Sequence, residues 1–162
     1  MKLAIVSDSH DHLKNLDKAV TMINKMNVSL LIHCGDPCSA FMIESLARFS
    51  GDVYLVFGNN EGDRVTITSV AERYSNINIR GEFGTLDIGS KSIAWTHRPE
   101  FGDGLASTGK FTAVFSGHTH IRKSEKIGDT WHINPGELMG LREDPGFAVF
   151  DPETGELEYF DL

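Results

Sequence analysis

The 162-residue chain, 40% hydrophobic and 23% charged, has an ordinary globular make-up, which excludes disordered, collagen-like and disulfide-scaffold classes and suits a single domain over residues 1–162. A formal net charge of -8 argues against a broad nucleic-acid-binding face, because affinity for phosphate backbones needs clustered Lys and Arg. No apolar run approaches the roughly 20 residues that span a bilayer, and the apolar part of MKLAIVSDSH is too short for a signal peptide, so a cytoplasmic protein without membrane contact is expected.

Lys2 to Ser7 is a short apolar, β-branched run that suits a strand buried on both faces. Leu13, Leu16, Val20, Ile23 and Asn27 then recur at three- and four-residue spacing, widened by Ala19 and Met26, and predict a helix. VSLLIH at 28–33 predicts a second strand, residues 40–49 a second helix, and DVYLVF at 52–57 a third strand. That order implies a parallel sheet with right-handed crossovers. The second half changes character. Short runs at 83–88, 91–96, 112–116, 121–127, 130–134, 146–151 and 156–160 are separated by turn signals such as Gly89-Ser90, Gly128-Asp129 and Pro152-Glu153-Thr154-Gly155. They predict mostly antiparallel strands, with one short helix near 103–109. The expected fold is α/β: two β-sheets packed face to face as a sandwich, with helices on the outer faces.

Ligands of an open α/β sheet bind beyond the carboxyl ends of its strands. The apolar runs here deliver Asp8-Ser9-His10, Gly35-Asp36, Gly58-Asn59-Asn60, His97, and Gly117-His118-Thr119-His120. Carboxylate, imidazole and amide donors together suit borderline divalent metals such as Zn, Mn, Fe, Ni or Co. Seven such residues exceed one tetrahedral ion and fit two ions, roughly 3.5–4 Å apart, that share a carboxylate. A lone Asp after a strand is usually a helix cap and a lone His usually structural, but five separate exits carrying ligand types go beyond capping. His118 and His120 point the same way if their stretch is extended. Cys34 and Cys38 lack a second Cys/His pair and read as small buried or helix-start residues, not a zinc site.

In order and spacing these motifs resemble those of the calcineurin-like metallophosphoesterases, and the chain is similar to the small archaeal and bacterial phosphodiesterase branch. Asn134-Pro135-Gly136 extends the resemblance over nearly the whole sequence. The resemblance implies one metal held by Asp8, His10, Asp36 and His120, and a second by Asp36, Asn59, His97 and His118, with Asp36 bridging. It implies two divalent transition metals, Mn or Ni foremost, and a metal-bridging hydroxide that attacks a small or activated phosphate ester. Two such ions bring four positive charges against two from Asp8 and Asp36, which lets an acidic protein take an anionic substrate.

Two positions depart from the family pattern. Many members carry a His directly after the metal-binding Asn, as the acid that protonates the leaving oxygen; here that position is Asn60. Where Gly-His often follows the His matching His97, this chain has Arg98-Pro99. Arg98 offers a guanidinium that clamps phosphate, or else only opens the turn before Pro99. Arg64 and Arg122 are lesser candidates of the same kind, and His12, His33 and His132 read as structural or peripheral. These departures sustain an alternative, a catalytically weak metal-binding scaffold resembling the retromer subunit on the same fold. A metal-free flavodoxin-like domain leaves His118 and His120 unexplained. The sequence leaves a dimer open.

Overall fold

A computed structural model describes Met1–Leu162. The chain forms β1 (Leu3–Val6), α1 (Leu13–Ile23), β2 (Leu30–His33), α2 (Ala40–Leu46), β3 (Asp52–Leu55), α3 (Arg64–Ala71), β4 (Ile77–Ile79), β5 (Phe83–Ile88), β6 (Lys91–Thr96), α4 (Pro99–Ser107), β7 (Ala113–Phe115), β8 (Lys123–Ile127), β9 (Thr130–Asn134), β10 (Gly146–Phe150) and β11 (Leu157–Asp161). A six-stranded sheet runs β11-β10-β1-β2-β3-β4 and a five-stranded sheet β5-β6-β7-β9-β8. No helix is long and apolar enough to cross a membrane.

Period-two alternation places the core. Leu3, Ile5, Leu30 and Ile32 point from the first sheet toward Trp95, Phe115 and Ile133 of the second. Ala4, Val6, Leu31, Val53 and Leu55 turn to the opposite face, where Leu16, Ile43 and Ile67 from α1, α2 and α3 cover them. Both faces of β1 and β2 are therefore buried, and their sequences are continuously apolar for that reason.

Several elements differ from the sequence expectation. The helix read toward Asn27 ends at Ile23, because the Asn24 amide turns away to hold Arg48 O and the Ser50 N–H, both at 2.9 Å. Helix α3 and strand β4 lie in a stretch with no predicted element. The helix expected at 103–109 begins at Pro99, whose fixed φ and missing N–H suit a first turn. The second half is mostly antiparallel, as expected, but two of its pairings are parallel. Helix α4 makes β6 and β7 a parallel crossover pair, β9 joins β7 in parallel, and only the β5–β6 and β8–β9 hairpins run antiparallel within that sheet. The last two strands return to the first sheet, with β10 antiparallel to β1.

His33 closes β2 with no solvent exposure. Gly35 N–H donates to its Nδ1 at 3.2 Å, so its Nε2–H faces Ser9 Oγ at 3.1 Å, and the ring is neutral. Burial, opposed by Asp8 and Asp36, pushes its pKa down to about 4. The unfolded chain then takes up a proton that the native state refuses, and stability falls as pH drops from about 6.5 to about 4. The full window is worth about 3 kcal/mol. Denaturant midpoints of wild type and His33→Gln at pH 7 and pH 4.5 are expected to show that part of the acid loss vanish in the variant.

Candidate metal centre

The carboxyl ends of β1, β2 and β3 in one sheet and of β6 and β7 in the other open at the same end of the sandwich. There the seven residues singled out at the strand exits form one connected group. His97 Nε2 lies 3.0 Å from Asn59 Oδ1, 3.3 Å from Asp36 Oδ2 and 3.3 Å from His118 Nδ1. On the other side of Asp36, His10 Nε2 stands 3.5 Å from Asp36 Oδ2 and 3.6 Å from Asp8 Oδ1, and His120 Nε2 3.3 Å from Asp8 Oδ1. Asp36 joins the two halves.

The backbone is held in an uncommon state to achieve this. Seven non-glycine residues have positive φ, and five are Asp8, His10, Asp36, His118 and His120; the other two, Asp11 and Cys38, flank them. Asp, Asn and His tolerate the left-handed region better than other side chains, yet each such residue still costs about 1–3 kcal/mol. His118 and His120 therefore do not sit on an extended segment. With φ of 70° and 64° they lie in a turn that sends His118 to His97 and His120 to Asp8.

Asp8, His97 and His120 each have one end fixed and the other turned inward. Asp8 Oδ2 accepts from the Ser7 hydroxyl and from His118 N–H, which leaves Oδ1 free. His97 Nδ1 donates to Cys34 O at 2.9 Å and His120 Nδ1 donates to Glu137 Oε2 at 2.6 Å, so both present Nε2. His10 Nδ1 lies 3.5 Å from Cys38 Sγ. Acceptors thus face acceptors, and Asp8 Oδ1 and His10 Nε2 are buried with no hydrogen-bond partner. Only a cation, a proton or a metal, resolves that arrangement, and mixed N/O donors fit a borderline divalent metal.

Titration reflects the same demand. Burial pushes the Asp36 carboxyl up, but His97 and Asn60 outweigh it and hold the group well below the usual carboxylate range. Asp8 is likewise held low by His10, His97 and Ser7 against burial. His10 beside Asp8 and Cys38 rises to about 10, and His97 rises despite its burial, through Asp36 and Asp8. His118 moves down, through burial, His97 and Arg98.

Asn60 commits both its N–H groups to Asp36: the backbone to Oδ1 at 2.9 Å and the side-chain amide to Oδ2 at 2.7 Å. Arg98 is exposed at the start of α4 and lines a narrow cleft with His97, Gly58 and Phe101. Arg64 and Arg122 do not reach the centre. Arg64 pairs with Glu82, donates to Gly58 O at 2.8 Å and covers the Phe57 ring, while Arg122 pairs with Asp161. His12 caps α1, and His132 bonds Ser116 and Asp103. Gly58 and Gly117 permit close approach: a Cβ on either overlaps Asp36 or the Ser7–Asp8 pair.

Sequence reasoning passed over Glu137 and Cys38. Glu137 is fully buried and accepts N–H bonds from Arg142 and from Glu143 as well as from His120. Its only signal was its place directly after Asn134-Pro135-Gly136. Cys38 was read for its own chemistry rather than as a partner for His10.

Known proteins resemble the chain in sequence and in fold. Residues 1–155 match the calcineurin-like phosphoesterase superfamily domain. The chain is 34% identical over 159 residues to phosphodiesterase MJ0936 of Methanocaldococcus jannaschii, covering 96% of each. Among solved structures, a novel archaeal phosphodiesterase superposes with a TM-score of 0.91 at 32% identity over all of both chains. The E. coli phosphoesterase Yfce shares the fold at a TM-score of 0.71 and 17% identity, again over all of both chains. The chain belongs to the calcineurin-like phosphoesterase superfamily.

Proposed function

We propose that the chain is a dimetal-dependent phosphodiesterase acting on a small or activated phosphate ester. The observation that carries this reading is the convergence of inward-facing acceptor atoms, two of them buried without partners, on either side of Asp36. Asp8, His10, Asp36 and His120 would hold one ion, and Asp36, Asn59, His97 and His118 the other, with manganese or nickel the first to test. Bound there, the metals supply Lewis-acid activation of water and stabilise charge on the phosphoryl oxygens. The chain's own groups set the geometry. Asn60 fixes both oxygens of Asp36, Cys34 O sets the tautomer of His97, and Glu137 that of His120. Arg98 stands at the mouth as a cation for the ester's anionic oxygen. The similarity to phosphodiesterase MJ0936 supports a diester substrate.

Hydrolysis of a chromogenic phosphodiester and the matching monoester, before and after chelation, tests the proposal. The diester is expected to be cleaved, cleavage to stop on chelation, and manganese or nickel to restore it. Turnover no greater than that of Asp36→Ala would contradict it.

Glu137→Gln probes the outer support of the site. The amide cannot accept from all the donors that Glu137 serves, so His120 loses its orientation and basicity. Metal affinity is expected to fall about 10–100-fold, read by calorimetric titration with Mn2+. Undiminished affinity in a folded variant would assign Glu137 to the loop alone.

A further inference from the structure

Next to the cleft beside His97 lies a groove of about 410 Å³ whose apolar wall is Phe83, Phe101 and Leu105, with Gly104 in the α4 wall. Glu82, Thr96 and Phe101 line both spaces, so groove and cleft are neighbours. Thr96, the last residue of β6, directly precedes His97, so the groove borders the strand exit that delivers His97. Phe83 and Phe101 remain 57% and 66% exposed, although each carries a large apolar ring. The opposite flank of the centre is polar, built from Asp11, Ser39, Asn60, Asp63 and Thr66.

We propose that the Phe83–Phe101–Leu105 groove is a subsite for an aromatic or heteroaromatic arm of the substrate, with the substrate's phosphate seated at His97 and Arg98. The inference rests on the phosphodiesterase reading and narrows it to esters with a ring close to phosphorus. Phe83, Phe101 and Leu105 give the groove an apolar wall and Glu82, Thr96 and Glu100 a polar one, and a volume of this size with two aromatic rings in its wall suits a planar ring. Arg98 lines the neighbouring cleft with His97, so one ligand can reach its guanidinium and the apolar wall together. A short alkyl arm leaves Phe83 and Phe101 uncovered.

Binding of phenyl phosphonate and methyl phosphonate to manganese-loaded protein, measured by calorimetry, isolates the groove from the chemistry. Phenyl phosphonate is expected to bind about tenfold or more tightly than methyl phosphonate, because its ring leaves water. Phe101→Ala removes an exposed wall, and Gly104→Leu fills space in which a Cβ meets nothing within 4 Å, so neither change disturbs the core. Each is expected to bring the ratio of dissociation constants toward one. A ratio near one in wild type, or one that survives both substitutions, overturns the proposal. Loss of a dimer in sedimentation with the preference unchanged would also overturn it, by giving the groove to a second copy. Failure of the phosphodiesterase reading is separate: the phenyl preference would stand while no ester is cleaved.

Discussion

Asp36→Ala is expected to lower phosphodiester hydrolysis at least about 10³-fold and to abolish tight metal binding. Asp36 approaches both halves of the centre through one atom, with His10 and His97 at 3.5 and 3.3 Å from the same oxygen. Its removal takes away the one negative charge that the two proposed ions would share and leaves the Asn60 donors without an acceptor. Thermal unfolding of the metal-free variant separates this effect from misfolding. The native fold should persist, because Asp36 makes no contribution to the two large apolar clusters. A folded variant that retains wild-type turnover would remove Asp36 from the mechanism.

The second large effect concerns the leaving group. Asn60 occupies the place where the family pattern puts a proton donor, and an amide cannot supply a proton at neutral pH. Esters of weakly acidic alcohols are therefore expected to lose the roughly 10²–10⁴-fold that a positioned general acid contributes. The structure adds a second consequence. Asn60→His also removes the 2.7 Å bond from the amide to Asp36, a hydrogen bond to a charged group worth about 1.5–3 kcal/mol. The variant should flatten the dependence on leaving-group pKa while turning over activated esters more slowly than wild type. Rates across a series of aryl and alkyl diesters check both parts, and an unchanged slope would show that position 60 is not the acid site.

The architecture was legible where burial leaves a simple pattern. β1 and β2 are apolar because the sheet is covered on both faces there, β3 keeps Val53 and Leu55 buried, and the residues that follow these runs, Asp8, Asp36 and Asn59, are the ones delivered to the centre. Helix α3 was not legible, since RVTITSVA is rich in β-branched residues that favour strands. It forms because Asp63 caps Thr66 N–H and because Ile67 and Val70 pack on the first sheet. The parallel pairing of β6 with β7 was implied by the helix read between them, but the flanking turn signals suggested hairpins. The outer contacts of the centre were hidden for a different reason. Glu137 meets His120 and Cys38 meets His10 through a left-handed backbone, and neither spacing nor periodicity encodes that. Asn60 was noticed as an anomaly, whereas its hold on Asp36 is visible only in three dimensions.

Seven side chains are proposed to form one centre for two ions that share Asp36. Elemental analysis of metal-loaded protein, per chain and after gel filtration, tests it most directly. About two transition-metal ions are expected in wild type and about one in His97→Ala, which keeps Asp8, His10 and His120 intact. No bound transition metal in wild type, or an unchanged content in Asp36→Ala, would contradict the account.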